Sequence, residues 1–243
     1  EDRTFWHHTG ANDEFDGSGV DVAGVGLLHV GYPSLLPGLL VDGGRPLRVM
    51  LERARAAGVT TSLDLAVVDP GSPAGTHDWR SLLEGALAHC DVVSPSLEDL
   101  TSALQIKAGY SPGLVNELAE WMLAAGAAVV AISAGHHGVQ VRTGSTERLQ
   151  AGGAVLSGLA SWAEREFLVP PRPVTPRTTN GAGDASTAGL LFGLARSAEP
   201  ALAGALAAAC SAAVMIGERP TPRNVVRLDP ALAPLVVTDG SAG

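Results

Sequence analysis

The sequence predicts an α/β fold, a mostly parallel sheet covered by helices on both faces, and three observations predict it. Short apolar runs alternate with stretches of helical periodicity along nearly the whole chain. The runs are continuously apolar rather than alternating, which marks strands buried on both sides. The chain has 243 residues, of which 46% are hydrophobic, enough to bury one full core.

The elements follow in order. Gly24-Val25-Gly26-Leu27-Leu28-His29-Val30-Gly31-Tyr32 reads as a buried strand, and Pro46 to Ala57 as a helix stopped by Gly58. Val59-Thr60-Thr61-Ser62-Leu63-Asp64-Leu65 is the next strand, Trp79 to His89 a helix, and Asp91-Val92-Val93-Ser94 a short strand. Helices are expected over Leu97 to Leu104 and Gly113 to Ala125, then a β-branched strand over Ala127 to Ser133. Val139 to Arg142 pairs back after the turn Gly135–Gly138. Val169 to Val174 is proline-rich and extended, Ala185 to Ala195 a buried small-residue helix, and Ala201 to Ile216 a long Ala-rich helix packed closely on its neighbour. Residues 234–243 are expected to fray. At the other end, Thr4-Phe5-Trp6-His7-His8 reads as an aromatic strand of a small accessory sheet, followed by a turn at Gly10-Ala11-Asn12.

Composition excludes several functions. A net charge of −9 with no basic stripe argues against nucleic acid. No apolar run approaches the roughly 18 residues of a membrane span, and the first residues lack the pattern of a signal peptide. Cys90 and Cys210 sit in apolar helical contexts, so free thiols in a reducing, cytoplasmic compartment are expected. Lys107 is the only lysine, and its Gln-Ile-Lys-Ala context fits neither a P-loop nor a Schiff base. Nucleotide phosphates would have to be held by backbone amides, arginines and a metal ion.

The most informative stretch is Thr178-Thr179-Asn180-Gly181-Ala182-Gly183-Asp184-Ala185. It joins the extended segment to the buried helix. Gly181 and Gly183 let the backbone turn so that several N–H groups at the helix start point at one anion. Asp184 stands where those donors converge. A carboxylate repels phosphate, so its place there makes sense if it handles a proton on a nucleophile while the amides hold developing phosphate charge. The plain alternative is an ordinary Gly-rich turn with Asp as helix cap.

Five segments occur in fixed order: the aromatic strand ending Gly10-Ala11-Asn12, Ser62-Leu63-Asp64-Leu65, Val93-Ser94-Pro95-Ser96-Leu97-Glu98-Asp99, Gly135-His136-His137-Gly138 and Gly181-Ala182-Gly183-Asp184. In that order they resemble the ribokinase-like carbohydrate kinases of the phosphofructokinase B family, across essentially the whole chain. The resemblance implies a Rossmann-like three-layer αβα sandwich (residues 17–243) and a remnant of a small β-lid over the sugar (residues 1–16). It implies transfer of the γ-phosphate of ATP, with Mg2+, to a hydroxyl of a sugar. Asp184 matches the catalytic base, and Gly181, Ala182 and Gly183 the anion hole. Ser133, Gly135 and Gly138 match the turn beside the nucleotide; His136 and His137 between those glycines are expected to face solvent. Ser96 and Asp99 stand where the family shows Asn-x-x-Glu, the pair that organises Mg2+; the alternative for them is a helix capping box. Lid sheets of this family often pair, which implies a homodimer.

The departures are informative. Thr178-Thr179 replaces the usual Asp-Thr, which puts the family's monovalent-cation site in doubt, and Ser186 stands where an aromatic residue is common. The resemblance implies an N-terminally incomplete chain: the family's first core strand, much of the lid and the Gly-Gly/Asn sugar segment have no counterpart in it, whether it is a fragment or that part was removed, so what remains of the sugar site is thin. Strand alternation puts either Trp6 and His8 or Phe5 and His7 toward the ligand, and Trp6 and His8 are taken as the pair. Competing functions are a nucleoside kinase, a family member that binds sugar or nucleotide without transfer, and a dinucleotide-dependent oxidoreductase. The last lacks G-x-G-x-x-G, because His29 and Ser186 occupy the third position.

Overall fold

The computed structural model describes residues 8–237. Six strands form one sheet in chain order: β1 (Leu27–Val30), β2 (Thr60–Leu63), β3 (Val92–Val93), β4 (Val129–Ser133), β5 (Val139–Thr143) and β6 (Glu166–Val169). The first four run parallel, and β5 and β6 are each antiparallel to the strand before. Helices α1 (Pro37–Ala56), α2 (Trp79–Leu87), α3 (Leu97–Ala103) and α4 (Pro112–Ala124) connect the parallel strands. After β5 come α5 (Thr146–Gln150) and α6 (Gly153–Leu156); after β6 come α7 (Ala182–Ala195), α8 (Pro200–Met215), α9 (Pro222–Leu228) and α10 (Ala233–Val236). The reading from sequence does not name β6, α5, α6, α9 or α10.

Each parallel strand adds next to the previous one, always in the same direction. Right-handed crossovers of that kind put every connecting helix on one face of the sheet. The core divides accordingly. Leu63, Val93, Val130 and Ile132 pack with Leu47, Leu51, Leu83, Leu100 and Met122 of α1–α4. Val92, Val129, Ala131 and Val141 pack on the opposite face with residues of α5–α9. Neighbouring residues of β4 thus serve different cores, as the twofold period of a strand requires.

The predicted helix over 46–57 is the regular part of α1. Residues 41–44 break its first turns, with Asp42, Gly43 and Gly44 at positive φ. Pro46 falls in the first turn after that break, where its missing N–H costs nothing. Gly58, at φ 77, ends the helix as expected.

On the second face, α7 and α8 approach unusually closely. A Cβ on Gly189 would lie 2.9 Å from Ala207 Cα, and one on Gly193 2.7 Å from Ala203 Cβ. Only small residues allow this contact, and it sets the position of α7. Cys90 and Cys210 are free and buried. Among the described residues, no helix is long and apolar enough to cross a membrane.

Candidate active site

The segment leading into α7 is tied to the end of α8. The N–H groups of Arg177 and Thr178 both donate to the Met215 carbonyl, at 2.7 and 3.2 Å. Asn180 N–H then donates to Thr178 Oγ1 at 3.1 Å. Gly181 is the N-cap, in the left-handed region at φ 75, ψ 2, where a Cβ costs about 1–2 kcal/mol. No side chain caps α7. Among the described residues, the N–H groups of Gly181, Gly183 and Asp184 donate to no protein acceptor. Ala182 differs from expectation: its N–H donates to the Thr179 carbonyl at 3.3 Å, because the turn folds back on itself there. The open donors are therefore residues 181, 183 and 184 rather than 181–183. Asp184 is exposed in the first turn, not turned into the interior.

Around this helix start lie the C-terminal ends of β1–β3. His29 donates or accepts between Nδ1 and Ser62 Oγ at 3.0 Å. Burial holds the imidazole below its ordinary pKa, and the charge of nearby Asp184 works against that. Asp64 directly follows β2 and is 6% exposed. Its Oδ1 accepts from Leu65 N–H at 2.8 Å, and its Oδ2 from Thr187 Oγ1 of α7 at 3.2 Å. Thr187 Oγ1 also lies 3.2 Å from Ser94 Oγ, just past β3. Burial pushes Asp64 up to about 7, with the charge of Asp99 adding to the effect. In the sequence Asp64 stands out only as part of the segment Ser62-Leu63-Asp64-Leu65, and His29, Ser94 and Thr187 do not stand out as site residues. The available signal was a polar residue interrupting an apolar strand or a buried helix.

Ser96 and Asp99 form a reciprocal capping box at the start of α3. Ser96 Oγ accepts from Asp99 N–H at 3.0 Å, and Asp99 Oδ2 accepts from Ser96 N–H at 2.8 Å. The capping alternative is what the backbone adopts, and both oxygens are committed to it; Asp99 Oδ1 has no partner among the described residues. Burial raises the Asp99 carboxyl above its usual range. Ser133 is brought beside this box, since Ser96 and Ser133 make a parallel bridge and Ser133 N–H donates to the Pro95 carbonyl at 3.0 Å. Gly135 and Gly138 close a tight turn at φ 56 and 88. A Cβ on Gly138 would run into the Val169 carbonyl, so this turn presses on the extended segment that leads to α7.

His137 is partly exposed and stacks at the surface on Tyr110, itself 41% exposed, with centroids 3.5 Å apart and planes at 7°, because the loop before α4 folds over the turn. His136 is exposed, its ring 3.9 Å from that of His137. Trp6, like Phe5 and His7, lies outside the described residues. His8 is exposed beside Gly10, where the chain enters a 3-10 turn, Gly10–Glu14. No cluster of three or more His, Cys, Asp or Glu side chains is placed to hold a metal among the described residues.

The arrangement sets outward amide donors and the positive end of a helix dipole beside an exposed carboxylate, at the strand ends where α/β folds bind ligands. Known proteins bear on it directly. The model of the pfkB family carbohydrate kinases matches residues 1–221. No curated protein sequence matches the chain. Among solved structures, the tetrameric inhibited form of phosphofructokinase-2 from Escherichia coli is 20% identical with a TM-score of 0.61, over 86% of this chain and 57% of that one. Aminoimidazole riboside kinase from Salmonella enterica is 20% identical at 0.57, over 85% and 62%. A nucleoside kinase from Burkholderia thailandensis is 20% identical at 0.55, over 92% and 61%. The chain thus spans about three fifths of the length of these structures. It belongs to the pfkB family of carbohydrate kinases.

Proposed function

We propose that this pfkB-family chain is the catalytic core of an ATP-dependent kinase that phosphorylates a sugar hydroxyl. One observation carries the reading: α7 begins without a cap, its open amides beside an exposed carboxylate. Phosphoryl transfer asks a protein mainly for positioning and charge stabilisation. The amides of Gly181, Gly183 and Asp184, at the positive end of α7, hold the phosphoryl oxygens as charge spreads onto them. Asp184 orients the acceptor hydroxyl and takes its proton as the new O–P bond forms and the bond to the leaving diphosphate breaks.

Magnesium fits the residues present. Asp99 keeps a carboxylate oxygen without a partner, and burial raises its pKa, which marks an acidic group short of positive charge. Magnesium is commonly held by one or two carboxylates together with water and phosphate, so no larger protein cage is needed. Bound there, it would supply charge compensation for the nucleotide phosphates. Ser133, Gly135 and Gly138, alongside Ser96, form the wall on which we place the nucleotide.

A second reading, ligand binding without transfer, draws on the closed Ser96–Asp99 box. The test is Asp184→Asn in the full chain, assayed for ATP-dependent phosphorylation across sugars and nucleosides. Turnover is expected to fall about 10²–10⁴-fold while ATP binding persists. Unchanged turnover overturns the proposal. ATP binding with no turnover on any acceptor by the unsubstituted chain selects the second reading, and turnover confined to nucleosides replaces the sugar with a nucleoside.

A further inference from the structure

The structure assigns to Thr187 a positioning role in this reaction: its hydroxyl clamps the start of α7, and with it Asp184 and the open amides, to the ends of β2 and β3 through Asp64 and Ser94. The inference rests on the phosphotransferase reading above. Thr187 is three residues beyond Asp184, one turn further along the same helix, and is 6% exposed. A helical threonine usually turns its hydroxyl back to the carbonyl three or four residues earlier. Thr187 instead reaches out of its own helix, to Asp64 Oδ2 and Ser94 Oγ, both at 3.2 Å. With one proton to give, it donates to the carboxylate and accepts from Ser94.

These contacts join three segments that the chain holds far apart. Asp64 and Ser94 directly follow adjacent parallel strands at the centre of the sheet. Asp64 has no ion-pair partner among the described residues, and its other oxygen accepts only from Leu65 N–H. The Thr187 hydroxyl is therefore the side-chain donor that a buried carboxylate lacks elsewhere, and it counters the burial that pushes Asp64 upward. From the other side, Gly189 and Gly193 press α7 onto α8. That contact fixes how near α7 lies to α8. The polar clamp fixes the helix next to the reacting groups, where a displacement of about 1 Å can cost up to about 10²-fold in rate.

The experiment compares Thr187→Val and Thr187→Ser in the full chain. Valine keeps the volume and removes the hydroxyl; serine keeps the hydroxyl. For Thr187→Val, kcat is expected to fall about tenfold or more with KM for ATP unchanged, and Thr187→Ser to retain most of the activity. Hydrogen exchange at the bonded amide of Ala185 and at those that follow it in the first turns of α7 is expected to speed up in the valine variant alone. Wild-type kcat in Thr187→Val, equal loss in both variants, or unchanged exchange overturns the clamp. Should the valine variant not fold, Ser94→Ala removes one anchor and is judged by the same exchange readout. If the unsubstituted chain transfers no phosphate, the kinase reading fails, while the exchange comparison still decides the clamp.

Discussion

Helices α3 and α7 both start beside the C-terminal ends of β2 and β3, but they solve the problem of their first amides in opposite ways. At α3, Ser96 and Asp99 satisfy each other's backbone N–H groups, and the start is half-buried. At α7, a left-handed glycine turns the chain, no side chain reaches back, and Gly183 and Asp184 are exposed. A helix start that closes on itself needs nothing further; one that leaves donors open at a strand-end cleft offers them to water or to an anion. The contrast also separates the two acidic residues. Asp99 is half engaged as a cap, whereas Asp184 makes no hydrogen bond to the protein among the described residues.

The largest break in this contrast comes from Gly183. A Cβ there would meet nothing within 4 Å, and alanine favours a helix by about 1 kcal/mol over glycine. Gly183→Ala is therefore expected to raise the melting temperature slightly while cutting turnover about tenfold or more, because the methyl stands where a phosphoryl group must approach the amides. Stability and activity measured on the same preparation check it; activity equal to the unsubstituted chain would mean the amides are not a phosphate cradle.

A second measurement concerns the carboxylate beneath α7. Asp64 is pushed up to about 7, against an ordinary 3.8 in the unfolded chain. Between those values the folded state keeps a proton that the unfolded state has lost, so stability falls as pH rises through that window, and the whole penalty stands above it. Asp64→Asn removes this dependence. Its melting temperature is expected to exceed that of the unsubstituted chain at pH 8, with the advantage gone at pH 4; parallel melting curves at all pH values would refute the assignment.

The smallest effect is at the closed start. Ser96→Ala is expected to cost about 1 kcal/mol in denaturant unfolding, the usual worth of an N-cap. If Ser96 acts only as a cap, the magnesium dependence of turnover stays as it was. A marked rise in the magnesium needed for half-maximal rate would return Ser96 to the metal site.

Much of the fold was legible from residue order. The alternation of apolar runs and helical stretches located β1–β5 and the main helices, and Gly58 and the Gly135–Gly138 turn ended elements where expected. β6 was missed because Glu166-Phe167-Leu168-Val169 is short and runs straight into prolines, so only its ladder to β5 reveals a strand. The motif ending in Asp184 was equally legible, since glycine spacing before a helix is a local property. That the Ala182 amide donates to the Thr179 carbonyl was not legible, because the contact depends on the dihedral angles the turn adopts. The stacking of His137 was not legible for a different reason: its partner, Tyr110, comes from the loop before α4, distant in sequence.

The sequence by itself determined which residues form strands and helices, and that an acidic residue stands at a glycine-rich helix start, because these follow from propensities and periodicities within a few turns of chain. The tertiary structure alone decided which helix start stays open, and that Asp64, Ser94 and Thr187 meet behind it. Those contacts exist only once parallel crossovers have laid β2 beside β3 and a seam of glycine and alanine has set α7 against α8, and no local pattern carries that information.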